Sequence, residues 1–259
     1  MIIAIDVGNT HIVMGCLDKD NIYFAARVST DRVKTEDEYA ITLKNLFQIK
    51  GVSPEDVEGG IIASVVPELT QILQLAVKMV IGKTPMLVSR DLDTRLRIEM
   101  DAPNTLGADL IVDAVAAIDK YPKPIMIFDM GTATTLSVID ENGTYIGGMI
   151  MPGLRLGVDA LAARTSKLPR VSLEAPEQLI GKNTVDCIKA GAIFGHAGML
   201  DGLIDRVAEE LGKMPTVIAT GGLINEIIPY CKRELIYDKH LMLWGLRILY
   251  ERNKDKQEL

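Results

Sequence analysis

Apolar positions along the chain fall in two phases. Short unbroken runs, Ile2 to Ile5, Gly60 to Val66, Ile125 to Phe128 and Thr216 to Thr220, have the length and β-branched content of buried strands. Between them, apolar residues recur at spacings of three and four, which predicts helices. The first is capped by Thr35 or Asp37 and runs to about Ile49, with Tyr39, Leu43, Leu46 and Phe47 on one face. Others are predicted over Leu69 to Ile81, Thr105 to Ile118, Val185 to Leu211 and Leu241 to Arg252. Gly51 and Gly82 stand where helix-stopping glycines belong. Pro85 to Ser89 and Glu234 to Tyr237 read as short strands, Ile224 to Tyr230 as a short helix, and Asn253 to Leu259 as a fraying tail.

The pattern repeats. Ile2 to Ile5 ends at Asp6, then Gly8, Asn9 and Thr10 precede a second apolar run from Ile12 to Leu17. Ile125 to Phe128 ends at Asp129, then Gly131, Thr132, Ala133 and Thr134 precede Leu136, Val138 and Ile139. Each second strand exits into a polar turn at Asp18 or Asp140, and Tyr23 or Tyr145 begins a returning strand. A glycine at such a tip lets backbone approach a ligand. Tip N–H groups with amide and hydroxyl side chains suit phosphate oxygens, and a carboxylate at the strand end suits magnesium. Each stretch alone reads equally well as an ordinary hairpin; the pair favours a nucleotide site.

Both halves read β-β-β-α-β-α-β-α, with residues 1–118 as one half, 119–259 as the other and 152–181 as an insertion. This order resembles the duplicated ribonuclease-H-like fold of actin, sugar kinases and heat-shock ATPases. The expected class is therefore α/β: two actin-like domains, each a mixed five-stranded sheet with helices on both faces, and an active site in the cleft between them. In that superfamily two hairpins clasp the triphosphate, and a glycine pair after a second-domain strand lies near adenosine. Gly221 and Gly222 stand in that place.

Composition narrows the partners. The 259 residues carry a net charge of −7, which disfavours nucleic-acid backbones and anionic membranes. Three scattered cysteines, without Cys-x-x-Cys spacing, fit a reduced compartment and no structural zinc. No signal-peptide pattern or run of membrane-spanning length is present, so a cytoplasmic protein is expected.

Smaller motifs carry two readings each. Gly107-Ala108-Asp109-Leu110 opens a helix, where an acid can simply complement the dipole. Asp109 is also the best-placed carboxylate outside the tips to accept a hydroxyl proton in phosphoryl transfer. Gly147 to Gly153 reads as a glycine-weakened edge strand or a close-approach wall of a pocket. Gly181 to Thr184 reads as a helix cap, with Asn183 or Thr184 capping, or as a presentation of Thr184 to a ligand or partner subunit. His11, His196 and His240 lack metal spacing and read as structural, with His11 beside the phosphate tip.

Taken together, the runs Asp6 to Thr10, Ala63 to Pro67, Gly107 to Asp109, Asp129 to Thr134, Gly147 to Gly153, Arg164 to Pro169, Ile180 to Thr184 and Ala219 to Gly222 resemble the type III pantothenate kinases over nearly the whole chain. The resemblance implies an ATP-dependent phosphorylation of pantothenate to 4′-phosphopantothenate, the first step of coenzyme A biosynthesis. It implies that Asp6, Val7, Gly8, Asn9, Thr10, His11, Ile12 and Val13 bind ATP phosphates, with Asp6 also serving Mg2+ through water or ATP. It implies that Thr132 contacts ATP, that Asp129 helps bind a monovalent cation (K+ or NH4+), and that Asp109 is the base. Met100, Gly107, Ala108, Asp109, Leu110 and Thr184 are implied on the pantothenate side, in a homodimer whose acceptor site lies at the subunit interface. Two positions depart from the family pattern: Leu110 replaces an arginine and Met100 an aromatic residue. A kinase of the same fold for another small hydroxyl substrate, such as a sugar, and a non-catalytic nucleotide-binding regulator are the alternatives. The missing zinc-cysteine cluster weighs against one group of sugar kinases, and the acidic charge weighs against DNA binding.

Overall fold

A computed structural model describes residues 1–89 and 91–256. The chain begins with β1 (Ile2–Val7), β2 (His11–Leu17) and β3 (Ile22–Ser29), then α1 (Glu36–Lys50), β4 (Gly59–Ser64), α2 (Pro67–Ile81) and β5 (Met86–Leu87). It continues with β6 (Arg97–Ile98), α3 (Ala108–Lys120), β7 (Ile125–Met130), β8 (Ala133–Ile139), β9 (Thr144–Pro152), α4 (Leu154–Arg164) and α5 (Thr184–Leu211). The last elements are β10 (Thr216–Thr220), β11 (Ile236–Tyr237) and α6 (Leu241–Asn253). No described helix is long and apolar enough to cross a membrane. The architecture is α/β and is made of two compact units.

The first unit comprises Met1–Leu96, Ala102–Ala116 and the chain from His240 onward. Its sheet has the order β3-β2-β1-β4-β5, with β1 antiparallel to β2 and parallel to β4. The period-two pleat of β1 sorts its side chains between two cores. Ile3, Ile5 and Val7 join Tyr39, Leu43 and Phe47 of α1 and Leu69, Leu73 and Val77 of α2. Ile2 and Ala4 join Val112 and Val115 of α3 and Leu243, Leu246 and Leu249 of α6. Thr35 caps α1 with a reciprocal capping box to Glu38, and Gly51 closes it in the left-handed conformation at φ 67°.

The second unit comprises Arg97–Asp101 and Ala117–Lys239, with the sheet order β11-β10-β7-β8-β9-β6. Met126, Phe128 and Met130 of β7 pack with Leu154 and Val158 of α4 and Ile188, Ile193, Leu200 and Ile204 of α5. These α5 residues include most of the apolar positions that periodicity picks out, and they serve the helix's own sheet.

Several expectations change. The second sheet has six strands, not five, because Arg97–Ile98 pairs in parallel with Thr144 and Tyr145. The division between units falls inside α3, near the expected boundary, yet neither unit is a continuous stretch. The C-terminal helix α6 returns to the first unit because its apolar face fits over glycines. A Cβ on Gly15 would come within 2.6 Å of Leu243, and one on Gly59 would strike Tyr250. Asn253 is buried rather than frayed: its side chain bonds to the Asp93 backbone. Residues 257–259 of the expected tail lie outside the described residues. The insertion contains a helix, α4. Ile224 to Tyr230 is two short 3-10 turns, because Pro229 interrupts α-helical bonding.

Candidate active site

The first tip is built by strand pairing. Asp6 lies opposite Val13 on β2 and beside Ala63 on β4, and Val7 opposes Ile12. Gly8 N–H donates to the His11 carbonyl at 3.0 Å, which leaves Asn9 and Thr10 as the loop. Both are exposed, whereas Val7 and Ile12 anchor the hairpin in the core. A Cβ on Gly8 would sit 3.0 Å from the His11 carbonyl oxygen, so the tight turn favours glycine. The segment after β3 lies against this loop. Thr30 Oγ1 donates to the Gly8 carbonyl at 2.6 Å, Thr30 N–H to the Thr10 carbonyl at 3.0 Å, and Arg32 Nη2 to Asn9 Oδ1 at 3.1 Å. His11 opens β2 on the exposed side. Desolvation and then the charge of Arg27 hold its imidazole below the usual value, which favours the neutral form.

The second tip repeats the strand, aspartate and glycine order but pairs one residue shorter. Asp129 lies opposite Thr135 on β8 and beside Thr220 on β10, and Met130 opposes Thr134. Gly131 N–H donates to the Ala133 carbonyl at 3.0 Å, so this loop is one residue tighter. Thr132 is exposed at its apex. Two glycines press on it. A Cβ on Gly153 would lie 2.7 Å from the Gly131 oxygen and closer still to that of Thr132. Gly221, at φ 97°, brings its backbone against the Asp129 carboxylate, 2.7 Å from where a Cβ would stand. Gly222 beside it is exposed. The Gly147 to Gly153 run ends β9, which lies between β8 and β6 rather than at the expected sheet edge, and Gly153 follows it as the cap of α4, against the tip.

Asp109 stands in the first turn of α3, half-buried. Its Oδ1 accepts the Leu110 N–H at 3.0 Å. Burial raises the carboxyl above its usual value, and backbone hydrogen bonds from the helix start oppose that only in part. Gly107 sits directly against this carboxylate, where a Cβ would overlap Oδ1. Ala108 and Leu110 are half-buried on either side. These residues and the first tip belong to the first unit, whereas Met100, Thr184, Asp129, Thr132, Gly221 and Gly222 belong to the second. Met100 is half-buried after β6. Thr184 is the exposed first residue of α5, and Asn183 is its cap, accepting the Asp186 N–H at 2.9 Å.

The donor sets suit different ions. Asp6 beside the exposed Asn9 and Thr10 oxygens suits a magnesium ion that keeps water and phosphate ligands. Asp129 beside the Gly221 backbone offers one carboxylate in a closely approached, partly buried place. Among the described residues no group of three His, Cys, Asp or Glu side chains could hold a metal alone. Thr30 and Arg32 are not singled out by the sequence; the signal was a threonine and an arginine immediately after a returning strand, too common to stand out.

The sequence profile of a family described as type III pantothenate kinase matches residues 2–206. The type III pantothenate kinase of an Exiguobacterium species is 45% identical over 254 residues, covering 98% of this chain and 100% of that protein. That of Moorella thermoacetica is 44% identical over 253 residues, with 98% and 100% covered. Among solved structures, the activator of the 2-hydroxyisocaproyl-CoA dehydratase from Clostridium difficile with bound ADPNP is similar. It has a TM-score of 0.56 at 15% identity, covering 99% of this chain and 97% of that one, a likeness of fold.

Proposed function

The chain belongs to the type III pantothenate kinase family, and from that membership we propose how its residues divide the work. The enzyme is a phosphotransferase that phosphorylates pantothenate in coenzyme A biosynthesis. The whole-length identity to enzymes of that name carries this reading.

Asp109 is the base. One carboxylate oxygen is anchored on the Leu110 amide, so the carboxylate is oriented before substrate arrives. The other oxygen takes the proton as the pantothenate hydroxyl oxygen bonds to the γ-phosphorus, and ADP leaves with the electron pair of the broken P–O bond. The raised proton affinity supports this role, because a base too acidic would accept the proton poorly. The Asp6 to Val13 hairpin and Thr132 hold the ATP phosphates through tip amides and hydroxyls, and Gly221 and Gly222 approach the nucleoside. Asp6 would hold Mg2+ through water or ATP, and Asp129 a monovalent cation; such ions neutralise phosphate charge. Equal rates in potassium and sodium at constant ionic strength would count against the Asp129 assignment. Met100, Gly107, Ala108, Leu110 and Thr184 form the pantothenate side.

We also assign a two-fold homodimer. Gly191, Gly195, Gly198 and Gly202 leave an open stripe along α5, with nothing within 4 Å of a Cβ at any of them. Each such glycine costs a helix about 1 kcal/mol relative to alanine, a cost offset where a second helix packs close. Light scattering that finds a monomer at working concentration would refute this. A cytoplasmic site accords with the coenzyme A role and is checked by cell fractionation.

The central test is Asp109→Asn, which keeps shape and removes basicity. Turnover should fall by ~10²–10⁴-fold while ATP affinity, measured by calorimetry, stays near the parent value. Retained turnover would remove Asp109 from the chemistry.

A further inference from the structure

The three residues after β3 form a strap over the first tip. Thr30, Asp31 and Arg32 alternate in what they touch. Thr30 and Arg32 reach three consecutive tip residues: Gly8 through its carbonyl at 2.6 Å, Thr10 through its carbonyl at 3.0 Å and Asn9 through its side-chain oxygen at 3.1 Å. Asp31 is held at both its backbone N–H and its carbonyl by one hydroxyl. Its N–H donates to Tyr39 Oη at 3.1 Å, and its carbonyl accepts the Tyr39 O–H at 2.8 Å. Tyr39 is fully buried on α1, so the strap is tied to the core of the first unit. Arg32 also lies 3.7 Å from Glu68 on α2.

Peptide geometry gives the strap a consequence at the tip. In a trans peptide the C=O and the following N–H point in opposite directions. Holding the Gly8 carbonyl on Thr30 Oγ1 therefore aims the Asn9 N–H away from the strap. The bond from Thr30 N–H to the Thr10 carbonyl orients the His11 N–H by the same rule. Without the hydroxyl, the Gly8–Asn9 peptide can turn over through Gly8 ψ and Asn9 φ, because glycine has no Cβ to restrict its side of the rotation and asparagine tolerates positive φ. A turned peptide would present a carbonyl oxygen to the phosphate in place of an N–H donor. The two states differ from attraction to repulsion for an anion.

We propose that Thr30 is a positioning residue for phosphoryl transfer: its hydroxyl sets the Gly8–Asn9 peptide so that the first tip presents a donor to the ATP phosphates. Tyr39, through Asp31, keeps Thr30 in place. This inference rests on the reading that the Asp6 to Val13 tip binds those phosphates.

The test compares Thr30→Val, which keeps the branched shape and loses the hydroxyl, with Thr30→Ser, which keeps it. Affinity for the non-hydrolysable analogue AMPPNP and for adenosine is measured by calorimetry, with KM for ATP and pantothenate and the melting temperature alongside. Thr30→Val should weaken AMPPNP binding by roughly tenfold, the scale of one lost hydrogen bond. KM for ATP should rise in parallel, with adenosine affinity and KM for pantothenate unchanged. Thr30→Ser should restore AMPPNP binding to within about twofold of the parent, a difference under the ~1 kcal/mol scale of one hydrogen bond. Tyr39→Phe should shift AMPPNP binding in the same direction. A Thr30→Val enzyme that melts earlier but binds AMPPNP normally would overturn the proposal, as would equal weakening for adenosine. Asp6→Asn and Gly8→Val serve as controls on the underlying reading. If they too leave AMPPNP binding unchanged, the tip does not bind phosphate; if they weaken it and Thr30→Val does not, the strap alone is refuted.

Discussion

At the first tip, the loop between β1 and β2 is held from one side by hydrogen bonds: Thr30 and Arg32 grip its carbonyls and its asparagine. At the second, the loop between β7 and β8 is one residue tighter and is backed by the close approach of Gly153 and Gly221. Both tips follow a partly buried aspartate near the end of a central strand. One repeated pattern is thus stabilised in two ways. A hydrogen-bonded strap can be loosened by one atom and still fold. A backbone packed on backbone tolerates no added atom, because neither partner can rotate away. The first arrangement is tunable and the second is rigid, which would suit the proposed roles of the two tips toward phosphate and a cation.

The largest expected effect lies at the rigid tip. Gly221→Ala would place a methyl 2.6 Å from the Met130 oxygen and 2.7 Å from Asp129 Oδ1, at a left-handed φ of 97°. Gly153→Ala would press on the Gly131 and Thr132 carbonyls. Each should cost on the order of 1–3 kcal/mol in stability, and displacing the tip by even ~1 Å should lower turnover by about 100-fold. Gly8→Ala, at 3.0 Å from one oxygen, should do less, and Gly131→Ala, at 3.6 Å, least of all. Urea melts and turnover of the four variants in that order sharpen the comparison; equal effects at Gly8 and Gly153 would break it.

Asp109 belongs to neither tip and supplies the next separation. If the tips position and Asp109 accepts the proton, the acid limb of kcat/KM follows Asp109 alone. That limb should lie above the ordinary carboxylate range, since burial raises this group. Tip variants should lower the profile without moving the limb. Stability runs the other way. A folded-state pKa raised above the unfolded one stabilises the fold at low pH and is lost as pH rises through the folded value. At neutral pH the ionised Asp109 is therefore a cost, so Asp109→Asn should melt higher than the parent there, with the gap closing on acidification. A limb that moves with Gly8→Ala, or an Asn variant that melts lower at neutral pH, contradicts this division.

The smallest effect concerns Leu110, half-buried next to the base. If the family arginine grips the pantothenate carboxylate, Leu110→Arg should lower KM for pantothenate by roughly two- to fivefold, the scale of a partly exposed ion pair. Turnover should change little, the signature of uniform binding. If the two tips hold ATP as proposed, ATP parameters should stay constant. A less stable variant with unchanged or poorer KM would instead make Leu110 a packing residue.

Local pattern determined much of this protein. The duplicated strand, aspartate and glycine turn was legible because strand composition and turn chemistry are carried by adjacent residues. The helix stops at Gly51 and Gly82 and the cap at Thr35 were legible for the same reason. Asp109 stood out because its position in a helix start is a sequence property; its raised proton affinity depends on burial, which is not. Tertiary structure alone decided where two pieces of chain belong. Arg97–Ile98 joins the second sheet through two backbone pairings, and α6 joins the first unit through a fit over Gly15 and Gly59. It also decided that Thr30, 22 residues from Gly8 in sequence, meets the tip. Those are long-range matters of which surfaces fit, and apolar periodicity records that a face is buried without recording against what.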